Sequence, residues 1–435
     1  MRRSPLDSLL RSETFWWAVG IEDSFLPLPH PRTGRTLDEY ELTDHYGRWR
    51  EDIDLMAGLG VRIVRYGIPW HRISPARGQW NWSWADRPIE RLLAAGIHPI
   101  VDLVHYGTPA WIEGAWANPD LPGHMAEYAA RAAERFSGRV HRWTPLNEPR
   151  ITAWGCGMSG LWPPHRRGWR GFVAVLLAVC RADVLAGEAL RAADEGNVLV
   201  AMDAANRWLP PHPPEPALIA ATEFRRSLAF LALDLMAGRV DAAHPLWPWM
   251  LRQGAAEREL AWFGERPQTP DMIGLNLYPM LSQKQWVQTV SGRARIRFPY
   301  GSAETVERVA TDYWERYGRP LLIGETAGRG RAARRLAWLS ESVEGVRRLR
   351  AQGIPLIGYT WWPMYDLVAW AYQHSHAPLG RFVVPMGLWG LDPDTLDRRP
   401  TALVDAYRAL ARAGAEAAGP LAPASLSQQP SFERP

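Results

Sequence analysis

Residues 84–105 read WADRPIERLLAAGIHPIVDLVH. The first half spaces apolar side chains three and four apart, as one face of a helix does; the second is a short, almost continuous apolar run, as in a buried strand. The glycine between them supplies the left-handed residue that ends a helix and allows a very short link. A helix that turns directly into a buried strand is part of a βαβ repeat, and the same join recurs in AQGIPLI at 351–357.

Working outward, candidate strands are WWAVG (16–20), VRIVRYG (61–67), IHPIVDLVH (97–105), VHRWTPLN (140–147), VLVAMD (198–203), DMIGLNLYP (271–279), PLLIGE (320–325) and PLIGYTWW (355–362). Helical patterns separate them, among them HYGRWREDIDLMAGLG, MAEYAARAAERF, GFVAVLLAVCRADVLAGEALRAA and ARRLAWLSESVEGVRRLRAQG. This alternation predicts a single (β/α)8 TIM barrel over residues 1–413. The tail 414–435 is small, polar and proline-rich and is expected to lack fixed structure. A doubly wound open sheet is the alternative, but no GxGxxG follows a first strand. WLPPHPPEP (208–216) is the least regular stretch, and SQKQWVQ (282–288) reads as a loop.

With 435 residues, 47% of them hydrophobic, the chain can bury a large core. Cys156 and Cys180 are too few for a disulfide framework and read as free buried thiols. The longest apolar run, 171–180, is half a membrane span, and the N-terminus has no apolar segment of signal-peptide length. A cytoplasmic protein without a membrane partner is therefore expected. The net charge is +4, but the arginines are scattered among acids, which argues against a nucleic-acid partner. Lys284 is the only lysine. Its place in a loop-like stretch argues against Schiff-base chemistry, which needs a lysine at a strand end. His374 and His376 form an HxH pair without a third ligand nearby, so no metal is assigned, and no cofactor. The oligomeric state is left open.

A barrel carries its chemistry at the C-terminal strand ends. Those ends hold Arg65, His105, Asn147 with Glu148, Asn276 with Tyr278, Glu325, and Trp361 with Trp362. Two carboxylates across an aromatic-lined cleft suit glycoside hydrolysis: one must carry a proton for the leaving oxygen, while the other attacks the anomeric carbon or activates water. The 24 tryptophans supply flat faces suited to sugar rings as well as to a core.

WTPLNEP at 143–149 resembles the NEP motif of barrel glycosidases with catalytic glutamates on strands four and seven, and the wider pattern is similar to glycoside hydrolase family 1. VRIVRYGIPWHRISP resembles that family's RFSISWSRI block, HYGTPAWI its HWDLPQWL and DMIGLNLYP its DFLGINYY. LLIGETAGRG resembles ITENG, GYTWWPMYDLVAW resembles GYFVWSLLDNFEW, and MGLWGLDPDTLDRRP resembles FGLVYVDYETQKR. The blocks run in family order over roughly residues 14–412. The resemblance implies a retaining β-glycosidase acting on a carbohydrate or glycoside, with Glu148 as acid/base and Glu325 as nucleophile. It also implies that Asn147 meets the sugar 2-hydroxyl and that Arg65 and Tyr278 hold Glu325. His105, Asn276 and Trp370 would line the sugar subsite, with Trp362 as its stacking floor.

The departures fall elsewhere. The first-strand glutamine is missing, and Glu22 or Asp23 is expected to take over part of the recognition; the glutamate of FEW falls on Ala369, and the tryptophan of HW is Tyr106. A glycone other than glucose is therefore expected, because a buried hydroxyl without its acceptor binds poorly. The alternatives are a transglycosylase with acceptor sites at Trp111, Trp154 and Trp162, and a non-catalytic carbohydrate-binding relic.

Overall fold

A computed structural model describes residues 15–422. Eight parallel strands close into a barrel: β1 (Trp16–Gly20), β2 (Ile63–Gly67), β3 (His98–Asp102), β4 (Arg142–Thr144), β5 (Val198–Ala204), β6 (Met272–Asn276), β7 (Leu321–Thr326) and β8 (Leu356–Trp361). Each pairs with its sequence neighbour, and β1 closes the ring by pairing with both β8 and β2. All eight expected strands are present, and the open sheet is excluded.

The strands are buried on both faces, which is why they read as unbroken apolar runs. Ala18, Ile63, Ile100, Val198, Val200, Met202, Met272, Leu322 and Ile357 fill the barrel interior as one cluster. Their neighbours Val64, Val101, Leu321 and Ile323 face the helices instead. The surrounding helices are α1 (His45–Leu59), α2 (Asp86–Ala94), α3 (Leu121–Arg135), α4 (Gly168–Ala193), α5 (Pro216–Met236), α6 (Ala303–Tyr317), α7 (Ala332–Ala351) and α8 (Ala402–Ala413). Gly96 and Gly353 have φ of 71° and 81° where α2 and α7 turn into β3 and β8, as those joins require. The 171–180 run lies buried within α4, and among the described residues no helix is long and apolar enough to cross a membrane. Both cysteines are free and buried.

Two expectations are corrected. Residues 283–288 are not a loop but a strand, paired with 207–212 from the irregular stretch and forming with Ala294–Arg297 a three-stranded sheet. Their pairing joins segments about 75 residues apart, and half-exposed strands of this kind carry little apolar alternation. The chain also stays ordered past 413. Ala415–Ala418 is a short helix with Ala418 buried, and the Arg347 and Arg350 Nε atoms each donate a 2.8 Å hydrogen bond to carbonyls at Ala417 and Gly419. The remainder of the expected tail, 423–435, lies outside the described residues.

Candidate active site

Side-chain alternation along the strands places the first members of the site. Arg65 follows inward-facing Ile63 by two residues, and Asp102 follows Ile100 by two, so both project into the top of the barrel. Arg65 is fully buried and its guanidinium joins three neighbours. It donates to Glu325, to Asp102, and to Asn147 Oδ1 at 2.6 Å. Burial works against that charge, but Asp102, Glu325 and Asp23 outweigh it and hold Arg65 protonated above its ordinary value.

Glu325 reaches the interior by a different route. Simple alternation from Leu322 would send Gly324 inward. A register shift between Ile323 and Glu325 interrupts the pairing with β6, and a bulge of this kind re-aims the side chain that follows it. Gly324 is what fits there: a Cβ would lie 2.7 Å from Asn276 Oδ1 and 2.7 Å from Met202 Sδ. Beyond it, Tyr278 Oη donates to Glu325 Oε2 at 2.7 Å.

Glu148 lies past the end of β4, in the left-handed region with φ 47°. Its backbone N–H donates to Met202 O at 3.1 Å, that of Asn147 to Val104 O at 2.9 Å, and Pro149 opens the short helix Pro149–Ala153 behind it. The Glu148 carboxyl accepts from Tyr106 Oη at 2.7 Å and from Asn276 Nδ2 at 2.9 Å. Burial, joined by the like charge of Glu325, pushes it up to about 7, against the pull of those two hydrogen bonds.

A third group backs these two. Glu22 accepts from Ser24 Oγ at 2.6 Å and from Trp362 Nε1 at 3.1 Å. His105 Nδ1 lies 2.8 Å from Asp23, which burial pushes up to about 7. Asn147 Oδ1 accepts from Arg65 and Asn276, its Nδ2 lies 2.8 Å from His105 Nε2, and His105 Nδ1 lies 3.3 Å from Asp102 Oδ2. Burial works against the His105 charge, but Asp23, Glu22 and Asp102 outweigh it and hold the ring pKa well above its ordinary value.

A cavity of about 460 Å³ opens onto Glu148 and Glu325. Glu22, Tyr106, Asn276, Tyr278 and Trp370 also line it. Leu367, Ala369, Val384 and Met386, on and beside the paired strands Leu367–Val368 and Val383–Val384, form an apolar wall, and Arg150, Asn206, Ser282 and Lys284 add polar lining. Several expected site residues stand behind this surface. Trp362 is fully buried, stacked on His105 with ring centroids 5.6 Å apart and pressed against Gly20, so it is not an exposed stacking floor. Asn147 and His105 are likewise buried and engaged with protein partners rather than lining the cavity. Trp111, Trp154 and Trp162 do not line it either; Trp162 packs beneath Tyr106 and Trp370. The aromatic acceptor sites expected for transglycosylation are thus absent from the cavity. His374 packs on His30 at 4.6 Å.

The family model for glycosyl hydrolase family 1 matches residues 18–286. The chain belongs to glycosyl hydrolase family 1. That span runs from within β1 past β6, includes Glu148 and ends before Glu325. Similar proteins include beta-glucosidase A of Thermotoga maritima, 27% identical over 374 residues covering 76% of this chain and 80% of that protein. The bifunctional beta-D-glucosidase/beta-D-fucosidase of Bifidobacterium breve is 26% identical over 450 residues, covering 89% of this chain and 91% of that protein. The solved family 1 β-glucosidase from Thermotoga maritima superposes with a TM-score of 0.80 at 22% identity, over 93% of this chain and 98% of that one, which shows the shared fold. The protein is a glycoside hydrolase, a β-glycosidase of family 1.

Sequence reading overlooked three members of this family 1 site. Asp102, the partner of Arg65, is the lone acid within an apolar strand, a signal that was available. Tyr106, a departure from the family pattern, is also a donor to Glu148. Lys284 lies in a stretch that reads as a loop, yet it lines the cavity.

Proposed function

We propose that the protein is a retaining, exo-acting β-glycosidase that works by double displacement within its one barrel domain and takes a glycone other than glucose. The observation that carries the mechanism is the unlike surroundings of two carboxyls on one cavity. Glu325 faces the Arg65 guanidinium and the Tyr278 hydroxyl, whereas Glu148 is pushed up to about 7 by burial and by Glu325. Environments that separate two carboxyls in this way mark one as acid and the other as nucleophile. Glu325 attacks the anomeric carbon while Glu148 gives its proton to the departing glycosidic oxygen, whose bond to that carbon breaks. Glu148, now a carboxylate, takes a proton from water; the water oxygen bonds to the anomeric carbon and the ester to Glu325 breaks.

The glycone reading rests on the apolar wall. Ala369 occupies the place of the family glutamate expected to hold outer hydroxyls, and Leu367, Val384 and Met386 flank it on the cavity. A 6-deoxy sugar or a pentose leaves less unsatisfied there than glucose does. Glu22, on the cavity with its carboxylate already oriented by Ser24 and Trp362, is the candidate acceptor for a remaining hydroxyl.

An aryl β-glycoside panel covering gluco, galacto, fuco, xylo, manno and rhamno configurations tests the glycone, and a fuco or xylo preference is expected. NMR of the first-formed sugar tests the mechanism: the β anomer is expected, and the α anomer rules out double displacement. Glu325→Gln should lower turnover by about ten-thousandfold or more. Activity within about tenfold of wild type would remove Glu325 from the role of nucleophile.

A further inference from the structure

Another part of the cavity lining is cationic, and among the described residues its cations form no ion pair with a carboxylate. Arg150 follows Glu148 by two residues on the short helix Pro149–Ala153, and Lys284 comes from the strand Gln283–Gln288; both line the cavity. Arg225 on α5 stands close enough to both to weigh on the Lys284 charge, and it is held among the rings of Trp154, Trp169 and Trp208. Among the described residues none of the three forms an ion pair with a carboxylate. Arg150 is 7% exposed, with one Nη2 bond to Ala204 O at 2.6 Å and a buried Nε that has no partner. The acids that do feel this cluster are Glu148, beside it on the same cavity, and Asp203, whose carboxylate is bound by Tyr313.

Lys284 Nζ also lies 5.9 Å from the Trp208 ring centroid. Clustered, half-buried cations whose partners are rings and a carbonyl rather than carboxylates are costly unless something anionic completes them. The residue choice points the same way. A chain that uses arginine at every other basic position puts its single lysine on this wall. Burial, joined by Arg150 and Arg225, pushes Lys284 down to about 7, and Glu148 offsets this only in part.

The wall lies on the leaving-group side, because it adjoins Glu148, the residue that faces the departing oxygen in the mechanism proposed above. We propose that the aglycone of the natural substrate carries a carboxylate, which Lys284 and Arg150 bind. This rests on the glycosidase reading, since it names the other half of the same substrate. Asn206 and Ser282 add polar lining beside the two cations, and Met280, Leu281 and Phe298 give an apolar bed for the rest of that group.

The test compares 4-carboxyphenyl and 4-carbamoylphenyl β-D-fucosides and β-D-glucosides, which differ in charge but little in shape. The wild type, Lys284→Met and Lys284→Arg are assayed, and the kcat/KM ratio of acid to amide is read for each. Comparing ratios between variants cancels the difference in leaving-group chemistry. The ratio should fall about tenfold in Lys284→Met and largely survive in Lys284→Arg. A ratio in Lys284→Met within about twofold of wild type overturns the proposal, whatever the absolute rates. The corresponding 1-thio-β-glycosides, titrated by calorimetry, supply a reading that needs no turnover. Tighter binding of the acid than of the amide, lost in Lys284→Met, supports the site even if no aryl glycoside is cleaved, in which case only the glycosidase reading fails. Equal affinity for acid and amide, or no binding of either, overturns the anion site and leaves the glycosidase reading to its own experiments.

Discussion

Tyr106 and Glu148 both hold backbone conformations in the left-handed region, with φ of 71° and 47°, and their side chains meet in a 2.7 Å hydrogen bond. Such conformations cost non-glycine residues on the order of 1–3 kcal/mol each and persist only where surrounding structure enforces them. Here Trp116 Nε1 grips the Tyr106 carbonyl at 2.8 Å and Met202 O receives the Glu148 N–H. Two strained residues on adjacent loops are thus tied together at the candidate acid.

Tyr106→Phe tests that tie. The hydroxyl donates to the Glu148 carboxylate and so favours its charged form; removing it should raise the Glu148 pKa further above 7. A general acid works only while protonated, so activity falls as pH rises through that value. The basic limb of kcat/KM against pH should therefore move upward in the variant, by roughly one unit or less. A lower rate with an unmoved limb would make Tyr106 a packing residue only.

Ala369→Glu addresses the glycone. It returns a charged acceptor to the apolar wall formed with Leu367, Val384 and Met386. The ratio of kcat/KM for glucoside over fucoside should rise about tenfold or more, since a site built to bind a hydroxyl discriminates against its absence. An unchanged ratio would place the outer hydroxyls elsewhere in the cavity.

Gly324→Ala bears on the bulge. Its Cβ would stand 2.7 Å from both Asn276 Oδ1 and Met202 Sδ, inside the barrel where neither can retreat freely. A stability loss of about 1–3 kcal/mol is expected, read as a lower Tm. Glu325 would shift with the bulge, so kcat should fall about a hundredfold while circular dichroism stays that of a barrel. Full activity in a folded variant would show that the bulge does not aim Glu325.

Asp183, buried on α4, is pushed up to about 7 by desolvation, partly countered by a hydrogen bond from the Leu146 backbone. Its folded pKa exceeds the unfolded one, so the folded state holds this proton longer. The resulting contribution is complete below about pH 4 and is lost as pH rises to about 7, a change on the order of 4 kcal/mol. Asp183→Asn removes the titration while keeping an acceptor for Leu146. Relative to wild type, its Tm should climb between pH 4 and pH 7 and hold level above; a constant difference would place the titration elsewhere.

The barrel was legible because its signals are local. A buried parallel strand is an apolar run, a surrounding helix shows its period within about a dozen residues, and the glycines at 96 and 353 mark the joins. The candidate carboxyls were legible for a related reason: in this architecture a polar side chain just past a buried strand stands at the mouth, so Glu148 and Glu325 could be named from position and motif. Which polar groups face the cavity was not legible. That depends on contacts between distant segments: the bulge at Gly324 that turns Glu325 inward, the Arg65–Asn147–His105 chain that withdraws Asn147 and His105, and the ring of Trp362 pressed on Gly20. Lys284 is the clearest case. Its stretch has no local pattern to distinguish it from a loop, and only pairing with Arg207–His212 sets it as a strand whose lysine reaches the cavity. Local periodicity is written in neighbouring residues, whereas register, bulges and shared hydrogen bonds exist only once remote segments meet.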